Sequence, residues 1–200
     1  MYDRWQGGAG AALAQRVGSR AAGTLSEEAL IRPSREEDVP RIAAIYGHHV
    51  RYGTASFETA PPTAEEMGRR REDVVSRGLP HVVAELAGEV AGYAYAGLYR
   101  PREAYRFTVE DSVYIHPDHL GKGMGRRLLA AVIRAAAEGG WRQMIAVIGD
   151  SANVASIRLH ESAGFRHVGV LRCVGFKFDR WLDTVVMQLE LTSGGARGGV

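Results

Sequence analysis

The sequence predicts an α/β domain with a mixed central β-sheet flanked by helices. Strand-like segments alternate with amphipathic segments of helical period along the chain. The run Met144–Ile148 is continuously apolar, which is typical of a central strand covered on both faces. A glycine-rich segment, Gly121–Gly125, joins a predicted strand to a predicted helix. The 200 residues are 46% hydrophobic and 24% charged, as expected for a globular chain large enough to bury a core.

Composition also limits the domain organisation and the partners. Residues 1–29 are rich in glycine, alanine and arginine and are expected to form a flexible extension. The glycine-rich residues 192–200 are expected to form a flexible tail, which leaves 30–191 as the domain. The single cysteine excludes an intrachain disulfide framework and favours the cytoplasm. A net charge of +2 does not favour a nucleic-acid partner, and no apolar run is long enough to suggest a membrane partner.

The first half of the domain begins with a strand that ends at Ile31–Pro33. Ser34 with Glu37 has the spacing of a capping box and predicts the start of a first helix. Thr63 with Glu66 predicts the start of a second helix in the same way. The buried face of the first helix is expected to carry the apolar residues that recur at helical spacing: Val39, Ile42, Ile45, Tyr46 and Val50.

A hairpin and an alternating strand follow. His81–Ala87 and Val90–Tyr99 predict a β-hairpin with a turn at Gly88–Glu89. In Phe107–Ile115, strand alternation places Glu110 on one face and Asp111 on the other. The rest of the domain is predicted to contain a helix after the glycines, the apolar strand, a helix over Asn153–Ala163 that ends at Gly164, and strands near His167–Phe176 and Thr184–Leu191.

The glycine-rich loop has the features of a phosphate-binding site. Alternate glycines let the backbone approach a ligand closely, and the first turn of the following helix offers unpaired N–H groups. Lys122, Arg126 and Arg127 add positive charge. The pattern G-x-x-x-x-G-K-[ST] of a P-loop is absent, and G-x-G-x-x-G is not completed from either Gly121 or Gly123. Considered alone, the segment remains compatible with an ordinary glycine-rich turn.

Two motifs in order resemble the GCN5-related N-acetyltransferase (GNAT) superfamily. The loop is similar to its acetyl-CoA motif Q/R-x-x-G-x-G/A, with Leu120, Gly123 and Gly125 at the marked positions and Leu120 departing from the consensus. Asn153–Phe165 is similar to the later motif N-x-x-[AS]-x-x-L-[YH]-E-x-x-G-F. The stretches Ala96–Ile115 and Ala146–Gly149 resemble the phosphinothricin and methionine sulfoximine N-acetyltransferases within that superfamily. The resemblance covers roughly residues 30–191.

The resemblance implies a GNAT acyl-CoA N-acyltransferase fold with acetyl-CoA as co-substrate. It implies acetyl transfer to the α-amine of a small amino acid or analogue, and a homodimer. A backbone N–H, that of Val113, is expected to face the thioester oxygen. No metal is expected, because Pro117 and the nearby glycines make His116-x-x-His119 a turn. The residues expected to bind acetyl-CoA are Val113, Tyr114, Ile115, Gly121, Lys122, Gly123, Met124, Gly125, Arg126, Asn153 and Ser156.

Two side chains are candidates for proton transfer. Glu110 is expected to take a proton from the acceptor ammonium, with Asp111 on the opposite face as its competitor. His160 stands where many GNAT enzymes carry a tyrosine that protonates the leaving thiolate, and imidazole can donate or accept near neutral pH. A solvated strand glutamate and a structural histidine remain the alternatives. Asn153 can equally act as the N-cap of its helix.

The acceptor is expected to be anionic. Guanidinium groups bind carboxylate or phosphinate with paired hydrogen bonds, and two of them precede Glu110 closely in sequence. Other GNAT acceptors (a protein N-terminus, a polyamine or an aminoglycoside) and a non-catalytic acyl-CoA-binding module remain alternatives. The residues expected to bind the acceptor are Phe57, Arg100, Pro101, Arg102, Tyr105, Glu110, Asp111 and Ser112.

Overall fold

The computed structural model describes residues 28–191, and the predicted order of strands and helices is confirmed. The extension before residue 28 and the tail after residue 191 lie outside the described residues. Ala29 is buried in the core. Among the described residues, no helix combines the length and the apolarity that crossing a bilayer requires. The elements are β1 (Leu30–Pro33), α1 (Val39–Tyr52), α2 (Ala64–Ser76), β2 (His81–Leu86), β3 (Glu89–Leu98), β4 (Thr108–Ile115), α3 (Met124–Glu138), β5 (Gln143–Gly149), α4 (Val154–Ser162), β6 (Arg166–Lys177) and β7 (Arg180–Glu190).

The described strands form one seven-stranded sheet in the order β1-β2-β3-β4-β5-β7-β6. Strands β4 and β5 are parallel, joined through α3, and the other neighbouring pairs are antiparallel. The predicted mixed sheet is therefore confirmed. The last strand, β7, lies between β5 and β6, so that β6 forms one edge of the sheet.

The two faces of the sheet have different cores. The aromatic face, covered by α1 and α2, packs Tyr46 of α1 against Tyr93 and Tyr114 of the sheet. The aliphatic face, covered by α3, packs Leu128, Leu129 and other side chains of α3 against small residues of β2 to β5. Residues of β4 alternate between these two faces, and their pairing with β3 runs without a register shift.

Several local predictions can be checked at the ends of the elements. The Ser34 cap is wrong: the Asp38 carboxylate accepts the Arg35 N–H at 2.7 Å, while the Ser34 Oγ accepts from Arg71 at 2.8 Å. The Thr63 cap is confirmed, since its hydroxyl accepts the Glu66 N–H at 3.1 Å. The hairpin turn is centred one residue earlier than predicted, at Ala87–Gly88.

The β6–β7 hairpin holds the segment between α1 and α2. Lys177 is buried, and its Nζ donates to the carbonyls of Gly53 and Ser56 at 2.8 and 2.7 Å. The ring of Phe57 lies against the backbone of both Gly149 and Gly175, where any Cβ would collide with it. The loop before α2 is therefore fixed against the ends of β5 and β6.

Candidate active site

The parallel strands β4 and β5 separate in the middle of the sheet. Their pairing runs from Thr108–Gln143 to Asp111–Ala146 and ends there, although β5 continues to Gly149. The space between the diverging ends, the central cleft, has a volume of about 50 Å³. It is lined by Ala55, Asp111, Ser112, Val113, Tyr114, Ala146, Val147, Ile148, Gly149, Asn153, Ser156 and His160.

Backbone groups of β4 point into the central cleft. His116 N–H donates to the Ala91 carbonyl at 2.8 Å. In an antiparallel pair, alternate residues direct both backbone groups at the partner strand. Because His116 bonds to β3, the backbone groups of Val113 and Ile115 point away from β3. The Ile115 carbonyl accepts a hydrogen bond from His49 Nε2 at 2.8 Å. The N–H of Val113, which also points away from β3, is directed at the cleft.

The glycine-rich loop forms a larger cavity, the loop pocket, of about 600 Å³. It shares Val113, Asn153 and Ser156 with the central cleft, so the two spaces adjoin. Gly121 and Gly123 have φ values of 74° and 77°, a region that L side chains rarely adopt. Of the predicted cofactor residues, the structure places these in the loop pocket: Val113, Ile115, Gly121, Lys122, Gly123, Met124, Gly125, Arg126, Asn153 and Ser156.

These residues offer different groups to a ligand. Met124 is buried, so its backbone N–H at the start of α3, rather than its side chain, is available to the loop pocket. Lys122 Nζ donates to the Asp118 carbonyl at 3.0 Å. The Asn153 side chain accepts the Ser156 N–H at 3.2 Å, so Asn153 is the N-cap of α4. The Tyr114 side chain packs into the aromatic face, and its backbone borders the cleft while pairing with Tyr93 of β3.

Glu110 is half-buried on the aromatic face of β4. Burial and, to a smaller extent, the charge of Asp111 raise the pKa of its carboxyl to about 6, with Arg100 opposing the rise. A carboxyl with this pKa is ionised at neutral pH and is still basic enough to accept a proton from an amine on its way to reaction. Glu110 does not line the central cleft itself, but the next two residues do.

His160 and Asp111 form a buried pair at the wall of the cleft. His160 Nε2 lies 3.0 Å from Asp111 Oδ2, with the side chains 5% and 1% exposed. His160 Nδ1 donates to the Ser156 carbonyl at 2.7 Å. Burial alone would lower the pKa of His160, but Asp111 and the Ser156 carbonyl raise it on balance. Both ring nitrogens are therefore engaged within the protein.

The predicted acceptor residues are divided between several places. Asp111 and Ser112 line the central cleft. Arg100, Pro101 and Arg102 line a separate pocket of about 410 Å³ with Arg77 and Trp141, the outer pocket. Tyr105 lies beside it, 42% exposed, with its ring edge 5.7 Å from the ring of Tyr99.

Phe57 stands at the edge of the cleft against Gly149 rather than in its lining. Three contributors were not predicted as site residues: His49, which binds the end of β4, Lys177, which holds the loop before α2, and the β5 strand as the second wall. The apolar composition of β5 predicts its central place in the sheet, but separation from β4 has no local sequence signal.

The chain matches a family model described as "Acetyltransferase (GNAT) family" over residues 42–165. That range contains both cleft strands, the glycine-rich loop and α4. The fold and the cleft are therefore those of an N-acetyltransferase. The chain belongs to the GNAT acetyltransferase family, which confirms the predicted fold class.

Individual relatives indicate which kind of GNAT acetyltransferase this chain resembles. Phosphinothricin N-acetyltransferase of Alcaligenes faecalis is 57% identical over 164 residues, covering 82% of this chain and 83% of the relative. L-methionine sulfoximine/L-methionine sulfone acetyltransferase of Salmonella typhimurium is 42% identical over 161 residues, covering 80% and 94%. The crystal structure of a phosphinothricin acetyltransferase from Sinorhizobium meliloti in complex with AcCoA has a TM-score of 0.80 and 42% identity, covering 86% and 95%.

Proposed function

We propose that this enzyme transfers an acetyl group from acetyl-CoA to the α-amine of a small amino acid or analogue of the phosphinothricin, methionine sulfoximine or methionine sulfone type. The observation that carries the proposal is the central cleft: β4 and β5 part after Asp111 and Ala146, beside the loop pocket and one residue from Glu110. The acceptors named for the relatives support the substrate class.

The loop pocket is suited to the pyrophosphate of acetyl-CoA. Backbone N–H groups at the N-terminus of α3 attract anions, and the left-handed glycines before it keep side chains away from the approach. Lys122 and Arg126 add positive charge at the rim. The backbone N–H groups of Val113 and Ile115 are then free for the pantetheine arm along the edge of β4, whereas the backbone of the predicted residue Tyr114 pairs with β3. The Val113 N–H is placed to stabilise negative charge that develops on the thioester oxygen.

The chemistry divides between the two faces of β4. Glu110, with its pKa raised to about 6, accepts the proton that the α-ammonium must lose before attack. The neutral amine then attacks the thioester carbonyl from the aromatic face, and the nitrogen releases its second proton to solvent once the C–N bond has formed. The C–S bond breaks on the side of His160. The sulfur that leaves takes up one proton as the thiol forms.

The outer pocket supplies positive charge for the acceptor. Arg100 lies close enough to Glu110 to affect its pKa, and the Arg100 guanidinium stacks on the Tyr99 ring at 4.9 Å. Arg102 and Tyr105 follow on the same exposed loop. The fork of a guanidinium matches the carboxylate or phosphinate of such an acceptor. Phe57 would form the opposite wall, between Gly149 and Gly175.

We also propose a homodimer that forms through the β6–β7 hairpin. Strand β6 is a 12-residue edge strand, and the hairpin exposes a row of large apolar side chains. Such an edge is a template for pairing with a second copy. Sedimentation of the wild type against a Val168→Lys, Leu171→Lys variant tests this, with a monomer expected for the variant. The exposed side chains, 51–64% accessible, are Val168, Leu171, Val174, Phe176, Phe178 and Trp181.

The single cysteine supports a cytoplasmic location for the enzyme.

An amine panel tests the proposed function. Release of free thiol from acetyl-CoA is followed with methionine sulfone, its decarboxylated amine, a peptide with an N-terminal alanine, a polyamine and an aminoglycoside. The zwitterionic amino acid is expected to give the highest kcat/KM. Preference for the peptide, the polyamine or the aminoglycoside would replace the acceptor class, and no thiol release with any amine would favour a non-catalytic acyl-CoA-binding module.

A further inference from the structure

Hydrogen-bond geometry fixes the number of protons on the Asp111–His160 pair. A carbonyl oxygen can only accept, so the bond of 2.7 Å to the Ser156 carbonyl requires a proton on His160 Nδ1. The other ring nitrogen lies 3.0 Å from Asp111 Oδ2. If the imidazole were neutral and Asp111 ionised, two lone pairs would face each other there. One further proton must therefore lie between Nε2 and Oδ2.

The same proton also lowers the free-energy cost of burying both groups. An isolated buried carboxylate is costly, whereas a pair that is neutral as a whole avoids most of that cost. Asp111 Oδ1 has no hydrogen-bond partner among the described residues, although the side chain is only 1% exposed. Asp111 also lines the central cleft. A buried carboxylate oxygen without a protein partner beside the cleft can accept a hydrogen bond from water or from a molecule that enters the cleft.

Among residues 28–191, Asp111 is the charged group that influences His160. The turn of α4 beneath the ring contributes the Ser156 carbonyl, and Phe165 after α4 presents its ring at right angles, 5.0 Å away. Strand β5 contributes the apolar residues Ala146 and Ile148 to the cleft. Glu110 is the next carboxylate on β4, but its side chain lies on the opposite face of the sheet.

We propose that Asp111 is a positioning residue that holds a transferable proton on His160 at the wall of the central cleft, for delivery to the leaving thiolate. This inference rests on the proposed acetyl transfer. As the C–S bond breaks, its electron pair goes to sulfur. The proton between Nε2 and Asp111 Oδ2 leaves that hydrogen bond and passes to sulfur directly or through one water. The Nδ1 proton stays on nitrogen, hydrogen-bonded to the Ser156 carbonyl. Glu110 holds the first proton lost by the amine, the second goes to solvent after the C–N bond forms, and the imidazole regains its proton from solvent.

Asp111→Asn tests the proposal because an amide cannot hold the extra proton. The matched control is Glu161→Gln, which changes the exposed His167–Glu161 pair, also 3.0 Å apart but with side chains 49% and 48% exposed. Imidazole ¹⁵N spectra of the full-length chain, without any substrate, report the protonation of His160. We expect His160 to carry both protons at pH 7.5 in the wild type and in Glu161→Gln, and only one in Asp111→Asn.

Turnover gives the second readout. The ratio of wild-type to Asp111→Asn kcat should grow with pH, by up to about tenfold per pH unit once the variant's His160 is neutral. A structural role would give a ratio independent of pH, and that result overturns the proposal, as does an unchanged His160 spectrum in Asp111→Asn. If Asp111→Asn does not fold, the wild-type spectrum and the pH profile of His160→Gln decide in the same way. An enzyme inactive on every amine would overturn the proposed function, and the spectra would still show whether Asp111 holds the proton.

Discussion

Buried ionisable groups have different surroundings on the two faces of the sheet, and their pKa values shift accordingly. On the aromatic face, burial raises the pKa of Glu110 to about 6, and burial with the nearby Arg71 lowers the pKa of His81 to about 4. On the aliphatic face, Asp111 and His160 contact each other, and the pKa of His160 is raised. His81 and His160 are almost equally inaccessible, at 7% and 4% exposed. Their partners, rather than their burial, decide the direction of the shift.

The difference teaches how one strand can serve two proton transfers. Glu110 and Asp111 are adjacent in sequence, and strand alternation sends them to different environments. An unpaired carboxyl becomes a better base as its pKa rises, whereas a paired carboxylate favours a proton on its neighbour. Each prediction below changes one face and asks whether the other is affected.

The largest effect is expected for Glu110→Gln on the aromatic face. Loss of a general base should lower kcat by about 10²–10⁴. The rise of wild-type kcat/KM through pH 6, as Glu110 deprotonates, should disappear in the variant. Glu138→Gln, an exposed carboxyl at the end of α3 and outside the outer pocket, is the control. Activity within a few-fold of wild type at every pH would assign the base to another group or to water.

Arg102→Ala removes a guanidinium from the outer pocket. Loss of a charge-assisted contact costs about 1.5–3 kcal/mol, or roughly 10- to 150-fold in kcat/KM for methionine sulfone. The decarboxylated amine and the affinity for acetyl-CoA should be unaffected. Arg134→Ala, on the exposed side of α3 and outside the outer pocket, is the control. If wild type prefers the decarboxylated amine, the anionic acceptor is wrong.

His81→Phe should reduce the loss of folding stability that the protein shows at acidic pH. The pKa of His81 is about 4 in the folded chain, below the usual histidine value of 6.5, so the unfolded chain binds a proton that the folded chain excludes. Stability is therefore lost as pH falls from about 6.5 toward 4, by about 2 kcal/mol between pH 7 and 5. Urea denaturation at both pH values measures this loss, with His48→Phe as a half-exposed control. Parallel profiles for wild type and His81→Phe would contradict the prediction.

Gly123→Val acts on the loop beyond the aliphatic face. A left-handed φ of 77° costs a side chain with a Cβ about 1–2 kcal/mol, so we expect acetyl-CoA to bind about tenfold more weakly. Gly140→Val imposes the same strain at φ 84° in the turn after α3, away from the loop pocket. Calorimetry should find weaker binding in the first variant alone. Equal affinity in both would remove the loop from the cofactor site.

The sequence was sufficient for features that depend on neighbouring residues. The alternation of β4, the N-cap at Thr63 and the helix end at Gly164, with φ 92°, follow from local periodicity and backbone preference. The Ser34 cap failed partly for a local reason, because Asp38 offered a carboxylate to the same turn, and partly because Arg71, 37 positions away, donates to the serine hydroxyl.

Features that depend on contacts between residues distant in sequence could not be predicted from local sequence patterns. The family resemblance selected His160 and Glu110, but the contact between Asp111 and His160 joins residues 49 positions apart. The hydrogen bonds from Lys177 to the carbonyls of Gly53 and Ser56 join residues more than a hundred positions apart. Alternation places a side chain on a face, but the topology of the sheet decides which groups meet there.

Phe57 and the two glycines beneath it pack as a unit. A side chain at Gly149 would meet the Phe57 ring within 2.9 Å, and one at Gly175 would overlap it. A smaller residue at position 57 would open a gap between the loop and both strands. A Cβ at Gly149 would also collide with the Thr54 carbonyl oxygen, so a change at position 57 could be matched by a larger residue at Gly175 but not at Gly149. In the proposed acceptor site, this wall can therefore be reshaped from the β6 side alone.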